Sequence, residues 1–330
     1  MRWCALIAVA LVASAVAGCG GDDGDDAENR PPPAANPAEF PKPNGRTLAE
    51  LRQGLGQGGP VLAPSVLVLT TGENRFGFGL FRRDRSQIAD AQVVVYVAPV
   101  GGGAAKGPYA ARYESLAVRP QFQSRQSAQD PDSAKTVYVA DLPFDKPGEY
   151  EILGIARLDG RLAAATSASG PLAVMKPGQD PVPRVGEPAP RIHTPTQADA
   201  GGDIASIDTR IPPSSMHDAD FADVVGKKPV VLVFATPQLC QSRVCGPVVD
   251  IAEQVKAERG DEAEFIHMEI YRDNTIDKGF RPQVAAFGLP TEPWLFAIDR
   301  QGKIAARLEG AFSAPELEQA IERAGGRQSR

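Results

Sequence analysis

The chain has 330 residues, a formal net charge of -6 and 42% apolar residues. This length allows about two domains, and the apolar content is sufficient for packed cores. The mild negative charge excludes the large basic surface typical of nucleic-acid-binding proteins, so no nucleic-acid partner is expected.

The N-terminus has the pattern of an export signal. Arg2 supplies a positive start, and residues 5–17 form an apolar run broken only by Ser14. This run has the length of a signal-peptide core and is shorter than the roughly 20 residues needed to span a bilayer. We therefore expect residues 1–18 to direct the chain out of the cytoplasm.

Cys19 ends this segment and follows three small or apolar residues, 16–18 (VAG). Small residues before such a cysteine resemble the bacterial lipobox, which implies a lipoprotein whose cysteine carries acyl chains such as palmitate. Lipidation would anchor the protein to the bacterial membrane, facing outside the cytoplasm. The alternative is an ordinary signal peptide with an incidental cysteine.

Residues 19–59 are predicted to form a disordered tether. Residues 20–46 are rich in Asp, Pro, Ala and Asn and show no hydrophobic period. Residues 47–56 have the pattern of a short helix, with Thr47 as its N-cap.

Residues 60–175 show the pattern of about seven short strands. In one of them Phe76, Phe78 and Leu80 alternate with Arg or Gly, and Asp159-Gly160 marks a hairpin turn. Short strands at this density predict an all-β immunoglobulin-like sandwich. We expect it to act as a spacer or a partner-docking module.

A Pro-rich linker, residues 176–190, precedes a predicted second domain, residues 191–330. Residues 230–234 have the continuous apolar pattern of a central strand, and an amphipathic helix follows them. Further strands, a hairpin and a final helix that opens on Ser313 predict a mixed sheet with helices on both faces.

Three stretches of this second region resemble thioredoxin-like proteins: residues 185–196, 230–255 and 288–304. The first also resembles the start of membrane-tethered cytochrome-maturation thioredoxins and of peroxiredoxins. The resemblance implies a multidomain chain in which the sandwich is followed by an α/β thioredoxin-like domain. It also implies a cis-proline facing the cysteines, at Pro293 or, as the second choice, Pro290.

Cys240 and Cys245 are the only cysteines after Cys19, and four residues separate them. Export to an oxidising compartment makes them a candidate redox pair. A regular helix would hold two such cysteines too far apart for a disulfide, so either Cys240 lies at or before the helix start or the first turn of the helix unwinds on oxidation. There the helix N-terminus and Arg243 would favour its thiolate.

The predicted roles are therefore attack by Cys240, resolution by the buried Cys245 and substrate presentation by Pro293. The spacing departs from the usual two residues of thioredoxins, and Val233 replaces their buried carboxylate. Residues 245–247 (CGP) also allow an alignment with Cys245 as the nucleophile.

The sequence leaves several functions open. The main prediction is a membrane-anchored thiol–disulfide oxidoreductase that exchanges with protein thiols or disulfides of the cell envelope and needs no cofactor or metal. The main alternative is a non-enzymatic binding lipoprotein with a structural disulfide. Residues 236–240 (TPQLC) resemble peroxiredoxin Q, which makes a thiol peroxidase a lesser alternative. A copper chaperone is another, since relatives pair two cysteines with a distant histidine such as His267.

Overall fold

The computed structural model describes residues 34–56 and 58–326. The described residues belong to one compact unit. The predicted signal peptide and Cys19 lie outside the described residues. Within the described ranges, no helix is both long enough and apolar enough to cross a membrane.

Nine strands occupy the first half of the described chain: β1 Val61–Pro64, β2 Leu69–Thr70, β3 Gly72–Phe81, β4 Gln92–Pro99, β5 Lys106–Ser115, β6 Thr136–Phe144, β7 Gly148–Leu158, β8 Arg161–Ser167 and β9 Leu172–Met175. Four more follow: β10 Val230–Phe234, β11 Glu264–Met268, β12 Trp294–Ile298 and β13 Ile304–Glu309. The α-helices are α1 Leu48–Arg52, α2 Arg125–Gln129, α3 Phe221–Val224, α4 Cys245–Arg259, α5 Pro282–Ala286 and α6 Ala314–Arg323.

Seven of the first nine strands close into a mixed β-barrel. Their order is β7-β4-β5-β6-β3-β1-β8, and β8 pairs again with β7. The closing contact is the parallel pairing of β1 with β8, where Val61 lies opposite Thr166. Phe76, Phe78 and Tyr138 fill the interior and are fully buried.

The predicted immunoglobulin-like sandwich is therefore wrong. Sandwiches and barrels both bury one face of each strand, so both give the same alternation of apolar and polar residues. What separates them is which strands pair at the edges. Here β8 pairs with the second half of β7 on one side and with β1 on the other. The sheet therefore has no open edge between β7 and β1.

The described part of the predicted tether, residues 34–56, is ordered. Helix α1 has a capping box between Thr47 and Glu50, and it buries Leu48 and Leu51. These side chains pack on the outward-facing residues of β4, including Tyr96. β4 is accordingly buried on both faces.

The second half of the chain contains a four-stranded sheet in the order β11-β10-β12-β13. β10 is parallel to β11 and antiparallel to β12. All five residues of β10 are buried, as a continuous apolar strand requires when both faces are covered. Helices α4 and α6 pack against each other and cover one face, and the aromatic residues Phe287 and Phe296 lie on the other.

The prediction of a sandwich followed by a separate α/β thioredoxin-like domain is also wrong, because the sheet and the barrel belong to one compact unit. Val137 and Val139 of the barrel share a core with Val248 of α4. The guanidinium of Arg75 donates two hydrogen bonds to Glu316 of α6, at 2.8 and 2.7 Å. Because of these contacts, barrel residues line any site at this end of the sheet.

Candidate functional site

Cys240 lies in a turn between β10 and α4. Its backbone N–H donates to the carbonyl of Thr236 at 3.2 Å, and α4 begins only at Cys245. Arg243 has a left-handed φ of 58°, which helps the chain reverse before the helix starts. Cys240 therefore stands outside the helix, and the two cysteines are not held apart by helical geometry.

The two sulfurs and a carboxylate oxygen of Glu292 lie within 4.8 Å of one another. Both thiols are free. An S–S bond is about 2.05 Å long, so a small closing motion separates this contact from a disulfide. The geometry permits the pair to cycle between dithiol and disulfide without unwinding α4.

Cys240 has the more acidic thiol of the pair. Its sulfur accepts a hydrogen bond from the Cys245 thiol, lies 3.2 Å from the Ser242 hydroxyl and accepts the backbone N–H groups of Cys245 and Val244. These bonds lower the pKa of Cys240 to about 6. Val244 has no side chain able to cap α4, so the Cys240 sulfur occupies the position of a cap at the helix N-terminus.

Cys245 has the opposite environment. It is fully buried, and burial raises the pKa of its thiol well above the ordinary value. It is a hydrogen-bond donor to Cys240 and stays protonated at neutral pH. A half-buried thiol of lowered pKa thus lies next to a buried thiol of raised pKa.

Glu292 is the third member of this thiol cluster. Its Oε2 atom is buried and has no hydrogen-bond partner among the described residues. Burial, together with the charge of the Cys240 thiolate, raises the pKa of Glu292 to about 8. The carboxyl group is therefore protonated at neutral pH while Cys240 is a thiolate. Losing the Cys240 charge would make Glu292 more acidic.

The backbone of the loop before β12 sets the position of Glu292. The Glu292–Pro293 peptide bond is cis, and the Pro293 carbonyl accepts the N–H of Gly310 at 2.8 Å. Pro290, the second choice from the sequence, is not among the cis residues of the described chain. A side chain at Gly310 would approach the Ser65 carbonyl oxygen to 2.1 Å, so this contact between barrel and sheet requires glycine.

Arg243 does not contact the thiol cluster. Its guanidinium pairs with Asp130 at 3.0 Å and Asp132 at 2.6 Å, both in the barrel loop after α2. Hydrogen bonds, and not the charge of Arg243, account for the acidity of Cys240. The ion pairs instead fasten the cysteine turn to the barrel.

An open groove of about 760 Å³ runs between the barrel and the thiol cluster. Its lining includes Leu67 and Phe81 from the barrel side and Ser242 and Glu292 from the thiol side. Leu67 is 56% exposed. The groove reaches the cysteine turn, since Gln241, Ser242 and Arg243 also line it.

A second polar cluster, the histidine cluster, lies under the same end of the sheet. It consists of Asp208, His217 and His267, whose nearest donor atoms also lie within 4.8 Å of one another. All three residues are at most 1% exposed. His267 Nε2 lies 3.0 Å from the carbonyl oxygen of Ala235, which begins the segment leading to Cys240.

Sequence reasoning missed the roles of Glu292, Ser242 and the histidine cluster. The position of Glu292 directly before the predicted cis-proline Pro293 was a usable signal for its place beside the cysteines. His267 was considered only as a copper ligand beside the cysteines, and its proximity to His217 was not predicted, because residues from distant segments carry no common spacing. His267 does not contact the cysteines; Glu292 takes that place.

No protein-family model matches the chain, and no curated protein matches it. Among solved structures, one similar chain is described as a thiol:disulfide interchange protein DsbE from Chlorobium tepidum. It is 19% identical, its match covers 44% of this chain and 99% of its own length, and the TM-score is 0.31. A TM-score this low carries no argument about the fold or the function of the present chain.

Proposed function

We propose that the protein is a thiol–disulfide oxidoreductase that uses the pair Cys240 and Cys245. The observation that supports this most is the contact between a half-buried thiol with a pKa of about 6 and a fully buried thiol of raised pKa. At neutral pH the first thiol is the nucleophile, and the second stays protonated until it resolves the intermediate. The substrates would be protein disulfides or thiols in the cell envelope.

The first step is attack by the Cys240 thiolate on a substrate disulfide in the groove. A bond forms between the Cys240 sulfur and one substrate sulfur, and the substrate S–S bond breaks. The departing sulfur takes the electron pair and accepts the proton of Glu292, whose raised pKa keeps that proton available at pH 7. Cys240 is now uncharged.

The second step uses the carboxylate that this transfer leaves behind. With the Cys240 charge gone, one cause of the raised Cys245 pKa is gone too, while burial still raises the pKa of Glu292 and keeps its carboxylate basic. Glu292 accepts the proton of Cys245, and the new thiolate attacks Cys240, forming the Cys240–Cys245 disulfide and releasing the second substrate thiolate. Two electrons have moved from the cysteine pair to the substrate. The reverse sequence oxidises a substrate dithiol, and the reduction potential of the partner sets the direction.

Turnover of a peptide disulfide with dithiothreitol as the electron source tests this proposal. We expect the purified full chain to accelerate peptide reduction over dithiothreitol alone, and Cys240→Ser to remove the acceleration. A wild-type chain that gives no acceleration while its two thiols titrate normally would reject the oxidoreductase and leave a structural cysteine pair.

We also propose that the protein acts at a membrane surface through lipid on Cys19. The sequence pattern at residues 16–19 supports this proposal. We expect Cys19→Ala to leave an unprocessed precursor or to release the protein from membranes, measured by fractionation and mass spectrometry. A variant that matures and remains membrane-bound like the wild type would rule out this anchor.

A further inference from the structure

The histidine cluster lacks a satisfactory hydrogen-bond arrangement. His267 Nε2 lies 3.0 Å from the Ala235 carbonyl oxygen, which can only accept, so Nε2 carries a hydrogen. The other ring nitrogen, Nδ1, then presents a lone pair when the ring is neutral. It faces the Asp208 carboxylate at 3.5 Å and the Ser214 hydroxyl at 3.4 Å. Lone pair and carboxylate repel each other unless a cation lies between them.

The Asp208 oxygen in this contact is already crowded. Oδ2 accepts the Ser214 N–H at 2.6 Å and also lies 3.0 Å from His217 Nε2. A carboxylate oxygen has two lone-pair directions, so a third donor at 3.5 Å is at the limit of hydrogen bonding. On its other nitrogen, Nδ1, His217 is buried without a partner among the described residues.

We propose that Asp208, His217 and His267 bind one Zn²⁺ ion, with the Ser214 hydroxyl or a water molecule as fourth ligand. Zinc–nitrogen and zinc–oxygen bonds of about 2.0–2.2 Å place tetrahedral ligands about 3.3 Å apart. The separations of 3.0 Å between Asp208 and His217 and 3.5 Å between Asp208 and His267 bracket this value.

The surroundings of His267 and Asp208 match those of metal ligands. A histidine that binds metal usually donates its second nitrogen to a backbone carbonyl or a carboxylate, as His267 does to Ala235. Asp208 is likewise held at its second oxygen, Oδ1, by the N–H of Arg210 at 2.8 Å. Ligating carboxylates are supported in this way in known metal sites.

The negative charge of Asp208 is compatible with a bound cation. Asp208 is 1% exposed and acts electrostatically on His267. A buried carboxylate without a cationic partner is strongly unfavourable, and a metal ion between Asp208 and the two imidazoles would supply that partner.

Burial also selects the kind of metal site. Two histidines and one carboxylate bind iron in oxygenases, but those centres keep positions open for oxygen. Here the three ligands are at most 1% exposed. A sealed four-coordinate site suits a structural zinc ion, which would enter as the chain folds and would fix the segment that leads from Ala235 to the cysteine turn.

The test uses a full-length chain in which all four cysteines are replaced by serine, so that no thiolate can bind metal and no redox activity is involved. The protein is unfolded, stripped with EDTA and refolded with zinc chloride, and bound zinc is measured by mass spectrometry after removal of free metal. We expect one zinc ion per chain, with a higher melting temperature than without zinc.

The chain supplies its own control, since it holds three histidines and His193 lies outside the cluster with its side chain 86% exposed. We expect His193→Gln to keep the zinc and His217→Gln to lose it. Cobalt added to the cysteine-free chain should give the visible absorption bands of a four-coordinate site with nitrogen and oxygen ligands. This measurement tests metal binding by the cluster even if His217→Gln does not fold. A folded cysteine-free chain that takes up neither zinc nor cobalt, or a His217→Gln variant that keeps the zinc, would show that the cluster holds only a proton.

Discussion

The thiol cluster and the histidine cluster lie at the same end of one sheet but differ in access. Cys240 and Glu292 are half-buried and line, or lie beside, the groove, whereas Asp208, His217 and His267 are sealed. Both clusters contain side chains with unusual acidity. Access to solvent and substrate, more than acidity, therefore separates a candidate reaction centre from a candidate structural centre in this protein.

The two cysteines show the same contrast on a smaller scale. They differ by five positions in the chain, yet one sits outside α4 and the other inside it. Hydrogen bonds stabilise the charged form of Cys240, and burial disfavours the charged form of Cys245. If this contrast determines function, substitutions at the exposed end of the cluster should matter most for exchange.

The largest effect should come from Cys240→Ser. Removing the thiolate removes the nucleophile, so the rate of peptide-disulfide exchange should fall by about a thousandfold or more, toward the uncatalysed rate. Stopped-flow measurement of exchange at pH 7 checks this. The matched control is His193→Gln, an exposed change remote from the thiols, which should leave the rate within about twofold. A Cys240→Ser chain with substantial exchange would make Cys245 the nucleophile.

Glu292→Gln should have the next largest effect. The amide keeps the size of the carboxyl group but can neither give nor take the proton, and such groups contribute roughly a hundredfold to a proton-transfer step. We expect the formation of the Cys240–Cys245 disulfide to slow by about that factor, measured by rapid acid quench and mass spectrometry. Glu149→Gln, an exposed change on β7, is the control. Equal rates in both variants would remove Glu292 from the mechanism.

The pH dependence of labelling should be smaller. With a pKa of about 6 for Cys240, most of the thiol is ionised at pH 7 and little at pH 5, so alkylation by iodoacetamide should fall about tenfold between them. Peptide mapping should place the label on Cys240 and not on Cys245. Labelling that rises only above pH 8 would mean that the thiolate is not stabilised in the folded chain.

Ser242→Ala should have the smallest effect. The Ser242 hydroxyl, 3.2 Å from the Cys240 sulfur, is one of several groups that lower its pKa. Removing one hydrogen bond raises the pKa of Cys240, so alkylation should slow by about threefold at pH 6 and hardly change at pH 8. If alkylation slowed equally at pH 6 and pH 8, the substitution would have changed the conformation of the cysteine turn and not the pKa of Cys240.

Local structure was readable from the sequence where one side-chain pattern determines it. The continuous apolar run of β10 and the capping box of α6 at Ser313 and Glu316 are confirmed. Helical geometry left two alternatives, Cys240 before the helix or a first turn that unwinds on oxidation, and the structure shows the first. Such features depend on neighbours within a few residues, which the sequence displays directly.

Features that join distant segments were not readable. The barrel closes through Val61 and Thr166, and no local pattern distinguishes that pairing from a sandwich edge. Arg243, whose charge was predicted to favour the Cys240 thiolate together with the helix N-terminus, pairs instead with Asp130 and Asp132 of the barrel, which is a contact between distant segments. Domain boundaries, lipidation at Cys19 and the partners in the cell envelope stay predictions.

The most direct test of the central claim is to trap the covalent intermediate. Cys245→Ser is mixed with a peptide disulfide at pH 7, quenched with acid and digested, and the mixed disulfide is located by mass spectrometry. The account predicts a stable peptide adduct on Cys240, because the resolving thiol is missing, and no adduct on Cys245 in the Cys240→Ser variant. Adducts of equal yield in both variants, or an adduct on Cys245 alone, would contradict it.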